Sequence, residues 1–164
     1  LIGLTRPTAS RDIVERLALA LQSQAALPGF TAEELPEAEP LGPRMQAVLI
    51  SDFLSDAGAV ADMVQRLSAR GARGHLATIA DPIEETFPFA GHTEFVDVDS
   101  PARLRVGHAE AFRQDYLARL ASHRARIDAA ARERGWSSVV HRTDRPASEA
   151  LLALSMRLEA EGRR

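Results

Sequence analysis

The 164 residues are 45% hydrophobic and carry a formal charge of -3, enough apolar material for one compact domain and too little net charge to favour nucleic acid or an anionic membrane. Cysteine is absent, which excludes disulfides, thiol catalysis and thiolate-bound zinc and leads us to expect a reducing, cytoplasmic setting. Every formal cation is an arginine, so Schiff-base chemistry and a P-loop lysine are excluded too. No apolar run reaches the roughly 20 residues of a membrane span, and Leu1 to Arg6 does not read as a secretory signal.

In chain order, Leu1 to Thr5 reads as a strand, and Thr8 and Ser10 then cap a helix whose stripe is Ile13, Leu17 and Leu21. Residues 27 to 44 hold four prolines among glutamates and read as an acidic surface loop. Ala47 to Ile50 is a continuous apolar run, expected to be a central strand of a parallel sheet covered on both faces. Ser55 and Asp56 cap a helix with Val60, Val64 and Leu67 inward that stops near Gly71, and His75 to Ala80 is the next strand. The β-α-β order implies a parallel crossover. Ile83 to Gly107 is irregular, with a small hairpin through Phe95, Val96 and Val98. Ala109 to Arg134 is the longest helix, with Phe112, Tyr116, Leu120 and Ile127 near one face and Asp115/Arg119 and Asp128/Arg132 as spaced ion pairs. Trp136 to His141 is the last strand, Pro146 opens a helix carrying Leu151, Leu154 and Leu158, and Glu159 to Arg164 is expected to fray. The whole is read as one α/β domain, 1–164.

In open parallel sheets, ligands gather outside the carboxyl ends of the strands. Asp52, Asp81 and Asp144 each follow a strand, with Ser51 and Thr143 beside two of them, and a carboxylate among hydroxyls suits a hard cation such as magnesium. The same residue types also cap helices, so capping competes with metal binding at all three positions. The five histidines are scattered, no Gly-x-Gly-x-x-Gly follows a strand, and Ile50-Ser51-Asp52 lacks the glycines of a nucleophile elbow. An enzyme is therefore the weaker reading, and its concrete form is a magnesium-dependent hydrolase or phosphotransferase using Asp52 with Asp81 or Asp144.

Five stretches, in this order, carry a resemblance: Val48-Leu49-Ile50-Ser51-Asp52-Phe53-Leu54; Asp81-Pro82-Ile83-Glu84-Glu85 with Phe87-Pro88-Phe89; Phe95-Val96-Asp97-Val98-Asp99; Tyr116, Leu120 and His123; and His141-Arg142-Thr143-Asp144-Arg145-Pro146. Together they resemble the bacterial family catalogued as domain of unknown function fifty-eight, whose C-terminal half is von Willebrand factor A-like. The resemblance implies a Rossmann-like fold and a protein-binding module with a metal-ion-dependent adhesion site. In such a site magnesium is held by Asp-x-Ser-x-Ser from one strand, a threonine from a loop and a later aspartate. Asp52 matches the later aspartate, Ser51 stands beside it, and Thr8 is the candidate threonine, with Thr5 competing; Asp81 and Asp144 are kept as binding candidates. No Asp-x-Ser-x-Ser occurs in the 164 residues. The expectation is that its segment, a strand and helix, lies upstream of Leu1, and loss of the metal is the other reading. The missing strand would sit beside Ala47 to Ile50 and leave an open sheet edge. The resemblance also implies a MoxR-type AAA+ ATPase as partner.

Overall fold

A computed structural model describes residues 40–43, 45–97 and 101–162, together with residues 12, 15, 16, 18, 19, 22 and 35. The chain forms two compact units, Leu1–Glu37 and Ala38–Arg164. In the first, residues 15, 16, 18, 19 and 22 are helical, with the Arg16 amide donating to the Asp12 carbonyl at 3.0 Å. The expected strand at Leu1 to Thr5, the stripe of Ile13, Leu17 and Leu21, the candidate Thr8, most of the loop at 27 to 44, and Val98 to Ser100 lie outside the described residues.

The second unit is α/β. Strand β1 (Gln46–Ser51), helix α1 (Ala57–Ser68) and strand β2 (Arg73–Ala80) make the expected β-α-β unit, and β1 pairs parallel with β2. Asp56 caps α1 by accepting the Ala59 amide at 3.0 Å, and Gly71 at φ 87° turns the chain out of it. Strand β5 (Ser137–Arg142) pairs parallel on the other side of β2, giving the order β1-β2-β5 and a Rossmann-like sheet flanked by helices.

Strand β1 is not central among the described residues. It ends the described sheet, its burial alternates, and Ile50 is 62% exposed. β2 is the buried middle strand, with Leu76 and His75 almost fully enclosed. A run of apolar residues reveals the composition of a strand, not which strands flank it.

Register places Leu49, Leu76 and Ser138 on one face, with Ala47 and Gly74. Trp136 lies against Gly74 so closely that a Cβ there would come within 2.5 Å of its ring, and the Trp136 indole donates to Ser68 Oγ of α1 at 2.8 Å. Met63, Val60 and Val64 of α1 complete this core, each worth roughly 1.5–3 kcal/mol of burial. Helix α3 (Arg113–Glu133), entered through a 3-10 turn at Ala109–Phe112, covers the same face by Ile127 and Ala131. The hydroxyl of Ser138 ties it to Asp128, which also pairs with Arg132 at 2.7 Å as expected.

The region read as irregular holds two ordered pieces. Helix α2 (Pro82–Thr86) is too short to show a hydrophobic period, although its start is legible: Asp81 accepts the Ile83 amide at 2.8 Å, Pro82 follows, and Glu84 reaches back to the Asp81 amide at 3.4 Å. The expected hairpin consists of β3 (Thr93–Val96) and β4 (Arg103–Val106), antiparallel with Phe95 opposite Leu104. Phe87, Phe89, Phe95 and Tyr116 join hairpin, α2 and α3 in an aromatic cluster with ring centroids between 4.9 and 5.9 Å apart. Helix α4 (Ala147–Gly162) half-buries Leu154 and Leu158, leaves Leu151 exposed, and stays helical to Gly162 where fraying was expected.

Candidate functional site

Parallel pairing brings the ends of all three strands to one edge. Ser51 is opposite Thr78 and Ala80 opposite Arg142, so Asp52, Asp81 and Asp144 emerge together as the sequence led us to expect. Their hydrogen bonds then separate them.

Asp81 is occupied. One carboxylate oxygen caps α2, and the other accepts the Thr143 hydroxyl at 3.3 Å. The Thr143 amide donates to the Ala80 carbonyl at 3.0 Å, which locks the end of β5 to that of β2. Asp144 is occupied as well, because both its oxygens are held by the Arg142 guanidinium at 3.1 and 2.8 Å. This forked bond, with Glu85 at 3.8 Å, raises the Arg142 pKa, the Asp144 hydrogen bond contributing most.

Asp52 differs. Its Oδ1 accepts the Leu54 amide at 3.2 Å in a side-chain-closed turn, and the Ser51 hydroxyl donates to the same atom at 3.4 Å while accepting the Phe53 amide at 3.2 Å. Among the described residues its Oδ2 has no partner, and the residue is exposed.

The turn that presents Asp52 is strained and buttressed. Phe53 sits at φ 51°, a left-handed conformation that costs a non-glycine residue about 1–3 kcal/mol, and its ring is buried. His123 of α3 donates Nε2–H to the Phe53 carbonyl at 2.7 Å, which requires the proton on Nε2 because a carbonyl only accepts. A cavity of about 150 Å³ opens here, lined by Asp52, Phe53, Thr78, His123 and Arg124.

Arg124 was missed by sequence reasoning. Its guanidinium meets Glu85 at 2.6 Å and Glu84 at 3.8 Å, tying α3 to α2. Glu84 and Glu85 thus shape the edge by pairing with arginines. Helix α3 carries several arginines, and nothing in their spacing distinguishes the one that turns inward.

The Asp52 carboxylate and the Ser51 hydroxyl bonded to it are oxygen donors of the kind magnesium takes. Among the described residues no three His, Asp or Glu side chains converge on one point. Asp81 and Asp144, spent on a cap and a guanidinium, do not complete a site.

The family model described as "Protein of unknown function DUF58" matches residues 7–126, which is 120 of the 164 residues. Neither the curated proteins nor the solved structures gave a match.

Proposed function

The chain belongs to the DUF58 family, and on that footing we propose that it is a protein-binding module, not an enzyme, whose contact surface is the carboxyl edge of the sheet. The observation that carries this reading is the isolation of Asp52. Of three strand-end acids it alone keeps a carboxylate oxygen with no partner among the described residues, on a turn held rigid by His123.

Asp52, with Ser51 beside it, would hold magnesium together with hydroxyls from outside the described residues. When bound, the cation supplies an open coordination position for a carboxylate of the partner. The chain's own contribution is to position: Asp81 and Thr143 fix the neighbouring strand ends, and Arg124 and Arg142 neutralise Glu84, Glu85 and Asp144, so that Asp52 is the acid left for a ligand. The resemblance to von Willebrand factor A-like members makes a MoxR-type AAA+ ATPase the proposed partner, and the absence of cysteine makes the cytoplasm the proposed location. Among the described residues no helix is long and apolar enough to cross a membrane.

A magnesium-dependent hydrolase using Asp52 with Asp81 or Asp144 has less support, because catalysis of that kind needs acids converging on one cation and two of these are engaged elsewhere. The test is calorimetric titration of magnesium and manganese into the intact natural protein and its Asp52→Ala, Asp81→Ala and Asp144→Ala variants. Binding is expected in all but Asp52→Ala. Equal loss in all three variants would favour the hydrolase, and no binding to the unsubstituted protein would remove the metal altogether.

A further inference from the structure

We propose that the apolar pocket between α2, the β3–β4 hairpin and the first turns of α3 is a second contact site, receiving a peptide segment of a partner protein with a leucine or aromatic anchor between one acidic and one basic residue. The inference is independent of the metal reading, since no residue of the pocket belongs to the Asp52 turn.

The pocket has a volume of about 570 Å³ and is walled by Phe87, Phe89, Phe95 and Tyr116. That volume admits a large side chain with room for its neighbours, and lies in the usual range of ligand pockets. The walls are preformed. Phe87 is held in a left-handed conformation at φ 42° while its carbonyl accepts Arg113 Nε–H at 2.9 Å. The hairpin is anchored to the turn before α3 by the Gly91 amide donating to Glu110 Oε2 at 2.7 Å and the Ala109 amide donating to the Gly91 carbonyl at 3.0 Å. The Gly91 amide, and after it the backbone amide of Glu110 itself, lower the Glu110 pKa, so the latch carries a charge at neutral pH.

Apolar surface continues beyond the cavity. Ile83, Leu104 and Phe112, from three different elements, are 51%, 60% and 51% exposed around the mouth. A small molecule would leave that rim uncovered, whereas a peptide backbone crossing the mouth would bury it, which is the arrangement of an interface anchor with its surrounding seal.

Charge sets the chemistry of the occupant. The ion pair expected between Asp115 and Arg119 does not form: they line the same wall, one helical turn apart, and among the described residues neither makes an ion pair. Glu84, the other acid there, is offset by Arg124. An occupant with a basic residue for Asp115 and an acidic one for Arg119, on either side of its anchor, matches both.

Random peptides displayed on phage are selected against the full immobilised chain in chelator, so that success or failure is separable from any result at Asp52. Selected sequences are expected to share a leucine or aromatic anchor flanked by an acid and a base. A synthetic peptide of that consensus should bind Phe112→Ser at least about tenfold more weakly, and Arg119→Glu should reject it while accepting the version with its acid replaced by lysine. Both positions are exposed, and circular dichroism verifies that the variants fold. No enrichment, peptides indifferent to both variants, saturation by a small apolar dye with no effect of peptide, or self-association lost in Phe112→Ser would each overturn the proposal.

Discussion

Helix α3 borders two unlike surfaces. Near its middle, His123 and Arg124 meet the sheet edge, where nearly every charged group has found a partner within the chain. At its start, Tyr116 closes an apolar pocket whose two flanking charges, Asp115 and Arg119, form no ion pair among the described residues. The comparison teaches where to look for partners: groups that the chain spends on itself hold the fold, and groups left over after that accounting are available to something else. Among the described residues, the strand-end acid left over at the edge is Asp52, by one carboxylate oxygen; at the pocket the remainder is a hydrophobic rim and two charges.

The largest effect is expected at the pocket wall. Phe87→Ala removes a buried ring shared by three aromatic contacts and should lower unfolding stability by about 3–5 kcal/mol in urea. If the loss were under about 1 kcal/mol, the cluster would be a loose surface feature and not a preformed wall.

At the edge, Arg124→Ala leaves Glu84 and Glu85 without their cation. The side chain is only 24% exposed, so a loss of about 2 kcal/mol is expected, and a double-mutant cycle with Glu85→Ala should show coupling. Additive losses would mean the edge is not electrostatically knit. Asp81→Ala, which removes the α2 cap and the Thr143 bond, should cost about 1 kcal/mol.

The smallest effect is a titration. Burial, then the nearby Glu84 charge, raises the pKa of Tyr116, the only tyrosine, above its ordinary 10.0. A raised folded value means its stabilising contribution is complete below the unfolded value and disappears as pH rises through the folded one. Ultraviolet titration should find the phenolate forming later than in the unfolded chain, and Glu84→Gln should bring it partway back.

Strand and helix order was largely legible because parallel strands and capped helices leave periodic, punctuated patterns, as at Asp56 to Leu67. The shared edge of Asp52, Asp81 and Asp144 was legible for the same reason. What each acid does there was not: a strand-end aspartate looks alike whether it caps, pairs or waits, and the difference lies with Thr143, far along the chain from Asp81, and with the way Arg142 folds back onto Asp144 two residues on. Helix α2 escaped notice because five residues show no period. The pocket escaped because its walls come from four separate segments, each read alone as irregular or as an ordinary helix face.

The most direct test of the account is paramagnetic broadening by manganese in amide spectra of the intact protein. The expected result is selective broadening at Asp52, Phe53 and Leu54, sparing the Phe89, Phe95 and Tyr116 amides, and absent in Asp52→Ala. Broadening centred on Asp81 and Asp144, or persisting without the Asp52 carboxylate, would contradict it.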